Sequence, residues 1–166
     1  LFINGIPIVM IELKNTLTNQ THLNAIKQWQ YDRDPKEPLF RFKRNLVYLA
    51  VGNEKVSMAT RLSGGNTKFL PYNKGIENPI NSNGHKTAYL WEHILQPNNV
   101  LELIESFVHI RVETEKVYDA KLGKIKEKKS EILIFPRFHQ LNVIQRLKEA
   151  VVTEDVGHNY LIQHTT

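Results

Sequence analysis

The chain has 166 residues, of which 41% are hydrophobic and none is cysteine; that is enough for a core of ordinary domain size, and it excludes disulfide frameworks and thiolate zinc sites. Lys and Arg number 22 against 17 Asp and Glu, a formal charge of +5, which favours a polyanionic partner. No apolar run nears the ~18 residues a membrane span needs and no charged-then-apolar leader opens the chain, so a soluble, cytoplasmic protein with no membrane partner is expected.

Leu1-Phe2-Ile3 and Ile6 to Ile11 flank Asn4-Gly5, the dipeptide best suited to a two-residue type I′ turn because both positions need positive φ. A β-hairpin is predicted. Along its second strand, side chains alternate with period two, so Ile8, Met10, Glu12 and Lys14 share one face, and Val9, Ile11 and Leu13 take the other. A strand this apolar is expected to be central and covered on both faces, where an acid and an amine need compensation. Read alone, Glu12-x-Lys14 is either a fraying-end ion pair or half of a nuclease centre. In the second case Glu12 is a hard ligand for Mg²⁺, and Lys14 orients the attacking water or stabilises charge on the phosphate.

Thr21 to Tyr31 is predicted as a helix with Leu23, Ile26 and Trp29 inward, ending near Asp34-Pro35. Asp32 to Pro38 is a charged, proline-broken loop in which Arg33 and Lys36 are candidate phosphate contacts. Phe40-Arg41-Phe42-Lys43-Arg44 interleaves aromatic and basic groups. That is the pattern of a half-buried strand with a basic outer face, or of a surface that tracks a nucleic-acid backbone. Leu46 to Val51 and Val56 to Arg61 read as strands around a turn at Gly52 to Lys55. Ser63-Gly64-Gly65-Asn66 has no following Lys-Ser/Thr and is a turn without nucleotide chemistry.

Phe69 to Gly75 is expected to be a short strand and loop. Ala88 to Leu95 and Val100 to Val108 are expected to be helices, the second capped by Asn98 or Asn99, with Trp91 in the core. His22, His85, His93, His109, His139, His158 and His164 lack metal-ligand spacing. Residues 111 to 130 carry Lys116, Lys121, Lys124, Lys126, Lys128 and Lys129 among acids, the composition of an exposed hairpin or linker. Glu131 to Phe135 reads as a strand, and Pro136 as the first residue of a helix with Phe138, Leu141, Ile144, Leu147 and Val151 on one face.

Asn4 to Asn15 resembles the nuclease motif of the R (restriction and motor) subunit of type I restriction enzymes. The resemblance continues, in that family's order, through Ala25 to Gln28, Asp32 to Phe40, Lys68 to Gly75, Thr87 to Glu92, Phe135 to Leu141 and Tyr160 to His164. It implies an α/β fold of the PD-(D/E)xK restriction-endonuclease type, a mixed central sheet flanked by helices, followed by the first elements of a RecA-like motor domain. The expected division is a nuclease domain at 1–110, a charged linker or hairpin at 111–130, and the start of a helicase-like ATPase at 131–166.

By the same resemblance Glu12 and the main-chain carbonyl of Leu13 hold Mg²⁺ with an Asp expected about three residues before Leu1. Lys14 is catalytic, and Gln28 supports the site from its helix, although the tyrosine that accompanies it in related nucleases falls at Tyr31, one residue early. Arg137 and Gln140 match a nucleotide-recognition helix, with Gln140 reading adenine through its amide. Tyr160 to His164 resembles the strand before a Walker A loop, and the sequence stops short of the glycines, so poor ATP binding is expected. The implied partners are double-stranded DNA and the methyltransferase and specificity subunits of the restriction complex, and the implied activity is ATP- and Mg²⁺-dependent cleavage of unmodified DNA, with this stretch alone expected to be inactive. The alternatives are another nuclease of the same fold fused to a helicase, as in repair exonucleases, and a non-enzymatic DNA- or protein-binding domain.

Overall fold

The computed structural model describes residues 1–119 and 123–163. Lys121 of the charged segment and His164 at the end of the last motif lie outside them.

Strands β1 (Phe2–Ile3) and β2 (Ile6–Pro7) pair antiparallel across Asn4-Gly5. Both turn residues have positive φ, 48° and 78°, as the type I′ turn requires. The strand expected to run on from this turn breaks at Ile8. Its N–H donates back to the Leu1 carbonyl (3.0 Å), while its carbonyl accepts from Leu46 of the main sheet (2.9 Å). Ile8 therefore packs with Val9 rather than on the Met10 face.

The main sheet has four strands in the order β3 (Val9–Leu13), β4 (Val47–Val51), β5 (Val56–Ala59) and β6 (Leu70–Pro71). β3 and β4 are parallel and the other pairings antiparallel. A parallel pair needs a crossover, and α1 (His22–Tyr31) supplies it. The Thr21 hydroxyl and the Asn24 side chain form a reciprocal capping box at its start. Its indole anchor, Trp29 Nε1, donates to the Leu49 carbonyl of β4 (3.1 Å). Among the described residues β3 is an edge strand, and β4 and β5, both buried along their whole length, are the inner ones. The apolar run of β3 is explained by packing on both faces rather than by a central position.

The two faces of the sheet build separate cores. On the α1 side Ala25, Trp29, Phe40, Tyr48, Ala50 and Leu62 are buried, with Met10 against them; the three aromatic rings meet edge-on or tilted at 5.3 to 6.5 Å. On the other side Val9, Leu49 and Met58 pack against Tyr72, Tyr89, Leu90 and Leu103. Phe135, Phe138 and Leu141 join that same core, so the opening of α3 (Phe138–Glu154) rests on the sheet.

The expected helix at 88–95 is a π-helical turn, Leu90–Ile94. The next is α2 (Pro97–Glu102), widening into a second π turn at Leu103–Phe107. Its cap is Gln96, not Asn98 or Asn99, because Pro97 fits the first helical position. Trp91 is 43% exposed instead of buried, since the wide turn directs Leu90 and Ile94 inward. The charged segment forms a long antiparallel ribbon, β7 (His109–Asp119) with β8 (Lys124–Ile134). Phe40 to Arg44 is a loop, not a strand: Lys43 has φ of 72°, and the Arg44 N–H closes a turn onto the Arg41 carbonyl (3.0 Å). No helix is long and apolar enough to cross a membrane among the described residues.

Candidate active site

Period-two alternation on β3 turns Met10, Glu12 and Lys14 toward α1. The crossover helix returns Gln28 and, two residues past its end, Arg33 to the same place. The Lys14 ammonium donates to Gln28 Oε1 at 2.5 Å and lies 3.4 Å from Glu12 Oε1. Arg33 Nη2 reaches the other carboxylate oxygen, Oε2, at 3.3 Å. Glu12 and Lys14 side chains are only 17% and 15% exposed, and Arg33 33%. One carboxylate thus bridges two cations, leaving a cluster of net charge +1 at the C-terminal end of the edge strand.

Four of the residues singled out in the sequence therefore converge, from the end of β3 and from the helix and loop that follow it. The others lie elsewhere. Lys36 is exposed in the next loop, its N–H bound to Asp34 Oδ1 (2.9 Å). Leu13 pairs with Val51 and exposes its side chain. Tyr31 is exposed, its ring set against Gly65. Arg137 and Gln140 stand at the start of α3, where Gln140 Oε1 accepts the Arg137 backbone N–H (2.9 Å). That bond caps the helix and occupies the amide oxygen assigned above to a base edge.

The spacing of β3 says nothing of how tightly the neighbouring end of β4 is tied to the crossover helix, and Gly52 sets that. A Cβ there would lie 2.8 Å from the His22 backbone nitrogen, so only glycine lets the end of β4 and the start of α1 approach this closely. Beside it, burial and then the Lys55 ammonium hold the His22 imidazole below its usual pKa.

No group of three His, Cys, Asp or Glu is gathered to hold a metal among the described residues. Mg²⁺ is held by one or two carboxylates together with waters and substrate phosphates. One carboxylate already bridged by lysine and arginine does not make such a site by itself.

A mixed sheet whose edge strand presents acid-x-lysine to the helix of its parallel crossover is compatible with a nuclease-like α/β domain. Residues 1–67 match the family described as type I restriction enzyme R protein N terminus. The chain is also 30% identical, over 127 aligned residues, to a protein of Methanocaldococcus jannaschii named "Putative type I restriction enzyme MjaVIIP endonuclease subunit". That alignment takes in 67% of this chain and 10% of the relative, so the chain spans about a tenth of the length of the curated relative it matches. No solved structure matches it.

Proposed function

We propose that the chain is the nuclease region of a type I restriction R subunit, and that Glu12, Lys14, Gln28 and Arg33 form its DNA-cleaving centre. The observation that carries this reading is the convergence of these four side chains inside the segment that matches the family. In the whole enzyme, cleavage of unmodified duplex DNA would depend on Mg²⁺, on ATP-driven translocation and on methyltransferase and specificity subunits. A bound Mg²⁺ would supply a polarised water and charge neutralisation at the phosphate. It needs a further acid beside Glu12, and the family resemblance sets an Asp upstream of Leu1.

The chain's own residues have separable roles. Lys14, held on Gln28 by a charge-assisted bond, presents a fixed ammonium where the phosphate gains charge. Gln28 sets the direction of that ammonium. Arg33 offsets the Glu12 carboxylate, and its remaining N–H groups provide a planar fork suited to a phosphate. The test is Glu12→Ala and Lys14→Ala in the full polypeptide: each abolishes DNA cleavage and leaves ATP hydrolysis intact. Wild-type cleavage by either variant overturns the assignment.

A further inference from the structure

The loop that leaves Arg33 at Glu12 arrives, within the same side of the sheet, at a second concentration of positive charge. Phe40 is buried in the α1-side core, and the left-handed conformation of Lys43 then turns the chain so that Arg41 and Arg44 stand exposed on either side of Phe42. From the loop after β5, Arg61 lays its guanidinium over the Phe42 ring, 4.6 Å from the centroid, and Lys43 approaches the same ring at 5.9 Å. Arg61 also shares a shallow open basin with Ser63, Asn66 and Lys68. Lys43 is neutralised by Glu131 of β8 (2.6 Å). Arg41, Arg44, Arg61 and Lys68 have no carboxylate within ion-pair distance among the described residues, whereas Lys55, Lys86, Arg111 and Lys148 each have one.

We infer that this patch, Arg41, Arg44, Arg61 and Lys68 around Phe42, is a second contact for the backbone of duplex DNA, separate from the cleavage centre. A guanidinium held through its face on an aromatic ring keeps its N–H edge free, and that edge is the part that fits a phosphate bidentately. A protein interface concentrates apolar groups at its centre and is depleted of charge there, whereas a DNA interface is polar and strongly positive; four cations without a carboxylate partner, one of them stacked on Phe42, match the second description. The patch lies at the end of the sheet where β4 begins, and Glu12 is opposite Ala50 near the end where β4 finishes. Val47 and Ala50 are three residues apart, so the separation along the strand is at least about 10 Å at ~3.3 Å per residue, or about three base pairs of duplex. One duplex can therefore touch both.

The test is the salt dependence of duplex binding by the full polypeptide, carrying Glu12→Ala so that the DNA stays uncut and the result is independent of the cleavage reading. Fluorescence anisotropy is read on two unrelated duplexes. Each lost phosphate contact lowers the slope of log K against log salt by about 0.9. Arg44→Ala with Arg61→Ala should thus lower it by about 2 on both duplexes, and Arg44→Lys with Arg61→Lys should restore it. Arg111→Ala, an exposed arginine paired with Glu113, should leave the slope unchanged. An equal fall in Arg111→Ala, or an unchanged slope in the patch variant, overturns the inference. An unchanged slope together with failure to co-elute with the partner subunits assigns the patch to a protein interface instead.

Discussion

Replacing Gln28 by alanine isolates the part of the proposed centre that does not touch phosphate. The Lys14 ammonium is largely buried and its shortest bond is to Gln28 Oε1, at 2.5 Å. A hydrogen bond to a charged group contributes about 1.5 to 3 kcal/mol. If that energy fixes the ammonium in the transition state, its loss lowers the chemical rate by about 10- to 150-fold. Lys14 would then fall back on Glu12, 3.4 Å away, drawing it toward the carboxylate and off the phosphate. Single-turnover DNA cleavage by the full polypeptide, with translocation complete before Mg²⁺-dependent cutting is timed, reads this rate. DNA affinity should change less than twofold, and Gln28→Glu, which keeps an acceptor for Lys14, should retain most of the activity. A Gln28→Ala rate within twofold of wild type would refute the idea that Gln28 positions Lys14.

Four further outcomes follow from the structure. Tyr72 is buried with its hydroxyl unpaired, so Tyr72→Phe should raise stability by about 1 kcal/mol. Tyr89 donates to the Tyr72 carbonyl (2.5 Å), so Tyr89→Phe should lower it by about as much; urea denaturation distinguishes the two. Burial raises both phenols above the usual tyrosine pKa, so folded tyrosines keep their protons where unfolded ones ionise, and stability should decline above pH 10, less steeply in Tyr72→Phe. The lowered pKa of His22 has the opposite sense: its contribution holds above pH 6.5 and is lost as pH falls below, a slope that His22→Asn should reduce in thermal melts from pH 7 to 5. Gly52→Ala forces the end of β4 off the start of α1 and should cost about 1 to 3 kcal/mol, together with a loss of cleavage larger than the stability change explains.

Local chemistry made much of this legible. The Asn4-Gly5 turn, the strands at 47–51 and 56–59, the capped helix after Thr21 and the shared face of Glu12 and Lys14 all follow from dihedral preference and period-two or 3.6-residue repeats, which need no tertiary information. Four features did not follow. Phe40 to Arg44 alternates like a strand, but Asn45 is buried and its amide donates to the Leu39 carbonyl and the Tyr48 hydroxyl, and that fixes a loop. Trp91 looks like core, yet one π turn shifts it outward. The edge position of β3 depends on strand order, which no single segment encodes. The arrival of Arg33 at Glu12 was likewise hidden. Its local signal is a charged loop, and only the docking of Trp29 on Leu49 fixes where that loop begins.

The parallel pairing of β3 and β4 has a consequence in time as well as in space. Val9 and Val47 are partners across 38 positions of sequence, as their register shows, and contacts of that span form slowly because the loop between them must close first. Until β4 arrives, Trp29 has no carbonyl to grip, and Gln28 and Arg33 have no fixed place beside Lys14 and Glu12. An emerging chain therefore holds the separate pieces of the proposed centre well before it holds the centre. Assembly of the proposed centre coincides with closure of the sheet, so on that reading a polypeptide still folding has no arrangement with which to cut DNA.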